Sequence, residues 1–337
     1  MRVALDTRSL SDPGLAAGGI GRYTRCLLRA LEAAHANEVT VLHWLRRPPA
    51  PERLREGWEH LLLGRDVRRA GAQVLHAPTV DLLSLWPGAP LVVTLHDLVP
   101  LKRPDLYLRS GLKHRLRYDA VRRAARTIVP SRAVAGDAER LLGLDPERIH
   151  VIPEAPAPAF RPVPEARSLL AHLDVPDRFL VWVGNLDPPD PRKRVQELAA
   201  AVRRRGGLPL VLAGRAGPAA RSLAAEGRVL LPGRLPDGEL AALLTAAEAL
   251  VLPSDDEGFG LPAVEALACG TPVAAYAAGS LPELLGGRGD AALVEPGDID
   301  GLLAAAERLA GTRADPSGRS WDEVAAETWA VYERAAG

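Results

Sequence analysis

The chain has 337 residues, enough for about two domains at roughly 150 residues each. Its 42 basic and 42 acidic residues cancel, so the chain lacks the positive excess that broad nucleic-acid binding requires. Two cysteines, Cys26 and Cys269, are too few for a disulfide framework or a thiolate zinc site. Asp6 interrupts the first apolar run, and no later run approaches ~18 apolar residues. We therefore expect a cytoplasmic protein without a signal peptide or a membrane-spanning helix.

The first half of the chain alternates short apolar runs with helical patterns. Strands are predicted over Val3–Asp6, Val39–His43, Val74–His76, Leu91–Leu95 and Thr127–Val129. A glycine-rich loop over Gly14–Gly21 leads into a helix over Ile20–Ala34, whose apolar residues recur at helical spacing. Strands that alternate with helices are typical of a parallel sheet with helices on both faces.

A proline-rich segment, Val151–Pro164, separates this region from a second region with the same alternation. Because proline disfavours helices and central strands, we predict an interdomain linker here. The elements predicted after it are strands over Phe179–Val183, Leu210–Ala213, Arg228–Leu231, Ala249–Pro253 and Pro272–Ala275, and helices over Gln196–Arg205, Asp237–Ala246, Pro262–Ala268, Ile299–Ala310 and Trp321–Ala335. We predict an α/β protein with domains at 1–155 and 165–320, followed by a helix within 321–337.

The most informative segment is Ser254–Cys269, where a loop with Glu257 and two glycines precedes a helix that carries Glu265. Glycines let a backbone approach a ligand closely, and N–H groups before a helix favour phosphate or hydroxyl oxygens. A carboxylate in the loop suits sugar hydroxyls, and one on the helix suits a ribose diol. The alternative is that both are ordinary loop and helix-surface carboxylates.

This segment resembles the glutamate-x7-glutamate region of glycosyltransferase family 4, whose retaining enzymes have the GT-B fold. The similarity covers nearly the whole chain and includes Ala4–Leu31, His96-Asp97-Leu98, Val183–Leu186, Pro191–Lys193 and Leu231–Leu235. Trp321–Ala335 resembles the final helix that crosses back to the first domain in GT-B proteins. The resemblance implies two Rossmann-like domains with parallel sheets facing a cleft, the first for the acceptor and the second for a nucleotide-sugar donor.

The resemblance also implies roles for the second domain. Glu257 would hold the donor sugar, with the backbone N–H groups of Gly258, Phe259 and Gly260 on its hydroxyls, and Glu265 would bind the ribose.

The diphosphate would lie against Lys193 and Arg192, which would offset the negative charge of the departing nucleotide. Leu235 belongs to the turn that resembles the base-binding turn of the family. Lys193 is the single lysine of the second region in a chain that otherwise uses arginine. The alternative is a solvated lysine within a basic run.

In the first domain, the resemblance places His96 against the donor sugar, and the backbone of Gly18 and Gly19 near the diphosphate or acceptor. A histidine that is only hydrogen-bonded, without a chemical role, is the alternative for His96. His76 also ends a predicted strand and is interpreted as structural. Cys269 is interpreted as a small packing residue at a helix end.

The resemblance is greatest to bacterial mannosyltransferases of surface-polysaccharide assembly, so GDP-mannose is the first donor expected. The alternatives are UDP-glucose or a dTDP-deoxysugar, with a glycan, lipid-linked or small-molecule acceptor. A metal ion and a separate cofactor are not expected. A nucleotide-sugar-binding protein without transfer activity is a rival hypothesis. A nicotinamide oxidoreductase is disfavoured because no G-x-G-x-x-G follows a strand with an acidic residue about 20 positions later.

The sequence differs from the family pattern in two segments. Ile152–Ala155 reads Ile-Pro-Glu-Ala where the family commonly has Ile-Pro-Asn-Gly, so an altered hinge is expected. The proline-containing loop Leu186–Arg192 is longer than usual.

Leu108–Arg126 is predicted as a basic amphipathic helix, either an ordinary solvated helix or a contact for the inner face of a membrane.

Overall fold

The computed structural model describes residues 1–16, 18–42, 62–80, 86–107, 111–224, 227–316 and 318–337. The chain divides into two units, of which the first contains Met1–Glu154 and Ser320–Gly337 and the second contains Ala155–Arg319. No helix in these described ranges is long and apolar enough to cross a membrane.

The first unit contains a six-stranded parallel sheet. Its strands are β1 (Val3–Asp6), β2 (Val39–Leu42), β3 (Val74–Ala77), β4 (Leu91–Thr94), β5 (Arg126–Val129) and β6 (Ile149–Val151), in the order β2-β1-β3-β4-β5-β6. Its helices are α1 (Pro13–Ala16), α2 (Gly19–His35), α3 (Val99–Lys102), α4 (Pro104–Tyr107), α5 (Gly111–Arg123) and α6 (Arg132–Leu142), and residues 62–69 are also helical. The central strands are buried on both faces, which explains their continuous apolar sequence.

The last helix of the chain completes the first unit. This helix packs against α2 and against β3, β4 and β5, and buries Trp321, Val324 and Tyr332. It begins with a capping box, in which the hydroxyl of Ser320 accepts from the Glu323 N–H and the Glu323 carboxylate accepts from the Ser320 N–H. Because its buried side chains belong to the core of the first unit, it is a structural part of that unit.

The second unit also contains a six-stranded parallel sheet with helices between its strands. Its strands are β7 (Leu180–Val183), β8 (Leu210–Ala213), β9 (Val229–Gly233), β10 (Ala249–Leu252), β11 (Val273–Tyr276) and β12 (Ala291–Val294). Its helices are α7 (Ala166–Leu169), α8 (Val195–Arg205), α9 (Pro218–Ala224), α10 (Asp237–Ala246), α11 (Leu261–Ala268), α12 (Leu281–Leu285) and α13 (Ile299–Leu309), and the helix of the first unit described above is α14 (Trp321–Ala336).

The strand order of the second sheet, β12-β11-β10-β7-β8-β9, determines where its loops meet. The chain runs from β7 outward to β9, then returns to β10 on the other side of β7 and continues to β12. The loops after β7 and β10 therefore leave neighbouring strands in opposite directions. Such a switch point leaves a crevice at the carboxyl ends of the strands, where open α/β sheets bind ligands.

The structure confirms the predicted α/β class and corrects some boundaries. Strands β6 and β12 were not predicted. Both are edge strands whose side chains are mostly half-exposed, so their sequences lack a strong apolar pattern. Val151 belongs to β6, and the predicted linker therefore begins one residue too early.

Other predicted ends also changed. His43 lies outside the described residues, as do residues 108–110 of the predicted basic helix. That helix is found as Gly111–Arg123, and Arg126 belongs to β5 rather than to a helix.

Candidate functional site

The loops after β7 and β10 are joined by a set of polar contacts. The loop after β7 contains a short 3-10 turn, Pro191–Lys193, in which the Arg192 N–H donates to the Asp190 carboxylate. The Arg192 carbonyl accepts from the N–H of Asp255 at 2.9 Å. The Arg194 guanidinium donates to the Asp255 carboxylate at 2.6 Å. Two segments about 60 residues apart in sequence thus form one surface at the switch point.

At this surface Lys193 Nζ donates to Glu257 Oε1 in an ion pair. The Lys193 side chain is 19% exposed and the Glu257 side chain is 7% exposed. Burial opposes the charge of Glu257, but the nearby cations Lys193 and Arg192 outweigh burial and lower the pKa of that carboxyl. The structure therefore brings together three of the residues predicted for sugar and diphosphate binding.

The backbone of Glu257 is held from its other side by the start of α12. The Glu257 carbonyl accepts from the N–H of Ser280 at 2.9 Å. Gly279 has a φ of +57°, and a Cβ at this position would lie 2.4 Å from the Glu257 oxygen and 2.5 Å from its nitrogen. Only glycine satisfies both the backbone conformation and this close approach. The sequence analysis did not identify Gly279, although a glycine between a strand and a helix is a recognisable signal.

The remaining predicted residues of the loop lead into α11. Gly258 and Phe259 follow Glu257 directly, and Gly260 caps α11 with a φ of +94°. Glu265 lies on α11 and is only 1% exposed. Its charge contributes to the raised pKa of Cys269, about 12, for which burial is the main cause, so this thiol is not a ready nucleophile.

Leu235 lies on a third loop of the second unit, apart from the two loops that carry Lys193 and Glu257. It is half-buried in the loop between β9 and α10. Strand β9 is two strands away from β7, so Leu235 lies at the same edge of the sheet, about 10 Å along it. This position suits a part of a ligand that is distant from the ion pair.

In the first unit, His96 follows β4 and is 18% exposed. Its Nδ1 lies 3.0 Å from Glu154 Oε1, and its Nε2 donates to the Pro78 carbonyl at 2.9 Å. The ring of Tyr23 from α2 meets the imidazole edge-on, with centroids 4.7 Å apart. Burial opposes the charged form of His96, but Glu154, the Pro78 carbonyl and Asp97 together raise its pKa.

A pocket of about 160 Å³ lies beside His96. It is lined by Ile20, Thr79, Val80, His96, Asp97, Pro100, Arg117 and Tyr118. These residues come from α2, α3, α5 and the loops after β3 and β4, so the pocket lies wholly within the first unit. Apolar walls combined with a few charged groups are typical of a small-molecule site.

Gly18 and Gly19 lie at the exposed start of α2, where Gly18 is the N-cap. The glycine required by packing is instead Gly21, where a Cβ would lie 2.4 Å from the carbonyl oxygen of Ala16. Gly18 and Gly19 leave the start of α2 open to solvent, whereas Gly21 allows the preceding turn to pack closely against the helix.

His76 is buried and has both ring nitrogens in hydrogen bonds, to the Tyr332 hydroxyl at 2.6 Å and to the Thr94 hydroxyl at 2.8 Å. The Thr94 hydroxyl lies 3.0 Å from that of Tyr23, which in turn packs against His96. Burial lowers the pKa of His76 to about 3. These contacts agree with the structural role inferred for His76.

Comparison with known proteins gives two family matches. Residues 17–155 match the family described as Glycosyltransferase Family 4, and residues 177–312 match the family described as Glycosyl transferases group 1. Each match falls within one of the two units, apart from a single residue at the boundary.

The curated relatives with sequence identities above 30% include two mycobacterial glycosyltransferases. An MMP α-(1→4)-mannosyltransferase of Mycolicibacterium hassiacum is 35% identical over 282 residues, which are 74% of this chain and 66% of that protein. A D-inositol 3-phosphate glycosyltransferase of Mycobacterium tuberculosis is 33% identical over 265 residues, which are 73% of this chain and 54% of that protein. The matches thus span slightly less than two thirds of the first relative and about half of the second.

Solved structures with the same fold cover nearly the whole chain. A sucrose-phosphate synthase from Thermosynechococcus elongatus has a TM-score of 0.73 at 22% identity, over 99% of this chain and 94% of its own. The Anabaena protein HepE, solved in complex with UDP-glucose, has a TM-score of 0.68 at 19% identity, over 99% and 95% of the two chains. These similarities confirm the predicted GT-B fold, and with the family matches they show that the chain belongs to the family 4 group of GT-B glycosyltransferases.

Proposed function

We propose that the chain transfers a hexose from a nucleotide-diphosphate sugar to an acceptor hydroxyl, with retention of the anomeric configuration. The observation that carries the proposal is the Lys193–Glu257 pair at the switch point of the second sheet. A cation suited to phosphate and a carboxylate suited to sugar hydroxyls lie side by side there. A sugar joined to a diphosphate presents hydroxyl and phosphate groups close together in one ligand.

In the proposed reaction, the bond between the sugar and the diphosphate breaks and negative charge grows on the leaving oxygen. Lys193 and Arg192 offset that charge, and we propose that they serve in place of a metal ion. Glu257 orients the sugar through its hydroxyls. We assign retention to attack on the face that the nucleotide leaves, with the leaving phosphate oxygen accepting the acceptor's proton.

GDP-mannose is the first donor proposed, because a relative that is 35% identical is named a mannosyltransferase. UDP-glucose is the main alternative, since the protein HepE of the same fold binds it. A dTDP-deoxysugar is a further one. The acceptor, a glycan, lipid-linked or small-molecule alcohol, is proposed to enter the pocket beside His96.

The proposal is tested by titrating the purified protein with GDP-mannose, UDP-glucose, a dTDP-deoxysugar and NAD in a calorimeter. We expect selective binding of one nucleotide sugar. Lys193→Met removes a charged hydrogen-bond donor, so the Kd for the donor should rise about 10- to 100-fold. Glu257→Gln should lower transfer about 100-fold while binding of the free nucleoside diphosphate changes less, because this carboxylate faces the sugar.

The controls separate folding from function. Each single variant leaves one buried charge unpaired and loses stability, whereas Lys193→Met/Glu257→Gln removes both charges and should regain stability without regaining donor binding. Glu248→Gln makes the same substitution at a carboxylate that pairs with Arg178 and should leave donor binding unchanged. Binding of NAD alone, or of none of the ligands, contradicts the assigned site. Tight donor binding without turnover on any acceptor tested favours a non-catalytic binding protein.

A further inference from the structure

Glu154 is a buried carboxylate for which the sequence analysis predicted no function. It follows β6 as the last residue of the first unit's main segment and is only 3% exposed. Its Oε1 lies 3.0 Å from His96 Nδ1. Its Oε2 is also buried and has no hydrogen-bond partner in the described part of the chain. A buried carboxylate with so few donors is costly unless a positive charge lies beside it.

The hydrogen bonds of His96 indicate how that charge is supplied. A carbonyl oxygen only accepts, so the contact of 2.9 Å to Pro78 requires a proton on Nε2. Nδ1 faces the Glu154 carboxylate, which accepts when it is ionised. Protons on both nitrogens satisfy both acceptors and give an imidazolium beside a carboxylate.

Most of the titratable groups around His96 favour this arrangement, and the opposing cation in the same pocket is Arg117 of α5. Asp97, the next residue, adds a second negative charge, and the contributions of Glu154 and Asp97 help to raise the pKa of His96 above 6.5 although burial opposes it. On the side of α2, Tyr23 stays neutral because burial raises the pKa of its hydroxyl. On the side of β3, His76 stays neutral because burial lowers its pKa to about 3.

We propose that Glu154 is a positioning residue that holds His96 doubly protonated, with one N–H on Glu154 and the other on Pro78, at the wall of the pocket. His96 then has no free lone pair and does not remove the proton from an acceptor hydroxyl. It presents a fixed positive charge to the pocket instead. The role of this charge in turnover rests on the proposed transferase function, whereas the protonation state of His96 does not.

The test is an NMR titration of histidine ring signals in the full-length protein without donor or acceptor, with His96 assigned from the loss of its signal in His96→Phe. We expect the wild-type ring to carry protons on both nitrogens at pH 6 and to titrate with a pKa above 6.5. Glu154→Gln keeps the size and the acceptor oxygen but removes the charge, so the pKa of His96 should fall below 6.5. The alkaline limb of the transfer rate should move to lower pH.

Glu38→Gln is the matched control, because it removes a carboxylate beside another histidine, His35, of the same unit. It should leave the titration of His96 unchanged. A wild-type His96 whose pKa lies at or below 6.5 overturns the proposal, even if Glu154→Gln fails to fold. An unchanged pKa in a folded Glu154→Gln variant also overturns it and leaves Glu154 a packing residue. Failure of the proposed function is recognised separately, by the absence of donor binding in the calorimeter.

Discussion

At the scale of single residues, His76 and His96 show how the environment sets opposite protonation states at similar positions. His76 lies near the end of β3, and His96 follows β4, the neighbouring strand of the first sheet. His76 is bonded to two neutral hydroxyls, from Tyr332 and Thr94, and burial keeps it uncharged. His96 faces a carboxylate and a carbonyl, and its pKa is raised. The chemical role open to each ring depends on these partners.

The neutral state of His76 predicts a loss of stability in acid. Below pH 6.5 the unfolded chain takes up a proton on this histidine, whereas the folded chain stays neutral there down to about pH 3. Unfolding is therefore increasingly favoured as the pH falls through this window. Replacing His76 by Asn removes the titration, so the variant should lose about 2–3 kcal/mol less than wild type between pH 7 and pH 4.5.

Urea unfolding at the two pH values measures this difference. His76→Asn should also be less stable than wild type at pH 7, because a buried hydrogen bond is lost. The raised pKa of His96 has the opposite effect, since its stabilisation is complete below pH 6.5 and is lost as the pH rises through its folded value. Equal losses for wild type and His76→Asn between pH 7 and pH 4.5 would contradict a neutral His76.

At the scale of elements, the loop after β10 depends on its neighbours for its shape. The turn Pro191–Lys193 contacts it on one side, and the start of α12 contacts it on the other. The close approach of Gly279 to the backbone of Glu257 leaves no room for a side chain. The position of the Glu257 carboxylate is thus determined by the loop after β7 and by the glycine before α12 together.

Gly279→Ala tests this arrangement against a matched glycine. Both Gly279 and Gly287 have a positive φ, of +57° and +77°, but a Cβ at Gly287 meets nothing within 4 Å. Each alanine variant should cost about 1–2 kcal/mol of stability through its backbone conformation. Only Gly279→Ala should also displace Glu257 and weaken donor binding, by about tenfold or more in Kd.

Calorimetric titration of the two variants with the same nucleotide sugar provides the comparison. Equal donor affinities in Gly279→Ala and Gly287→Ala would show that the contact with Glu257 does not position the carboxylate.

At the scale of the whole molecule, the chain forms one continuous unit and one discontinuous unit. The second unit is a single segment, Ala155–Arg319, whereas the first needs residues from both ends of the sequence. Tyr332 is fully buried and bonds to His76, and Trp329 stacks on His35 with ring centroids 3.6 Å apart. The last helix therefore supplies core side chains that no other segment replaces.

This organisation predicts different behaviour for two fragments. Residues 155–319 contain a complete sheet and core, so they should fold cooperatively and still bind the nucleotide sugar. Residues 1–154 lack the side chains of α14 and should expose apolar surface and aggregate. Joining residues 320–337 to that fragment through a flexible linker should restore folding. Circular dichroism and thermal unfolding of the three fragments test this, and a stable, monomeric 1–154 fragment would contradict it.

The sequence predicted most central elements because their signals are local. The buried strands are short apolar runs, and the helix after Glu257 begins with a glycine and a proline. The edge strands β6 and β12 were missed because half-exposed strands carry weak apolar patterns. Among the candidate site residues, Glu257 and Lys193 were predicted from their motifs, and the structure places them in contact. Glu154 was noticed only as a departure from the family pattern, since its contact with His96 joins residues 58 positions apart.

The sequence by itself determined the α/β class, the family and the loops that hold the candidate site residues, because periodicity and short motifs are properties of neighbouring residues. Only the tertiary structure decided which of those residues are partners. Lys193 and Glu257 are 64 positions apart, and His76 and Tyr332 are 256 apart. These contacts depend on the order of strands within each sheet and on the return of the last helix to the first unit. That order follows from packing of the complete cores, which no local pattern encodes.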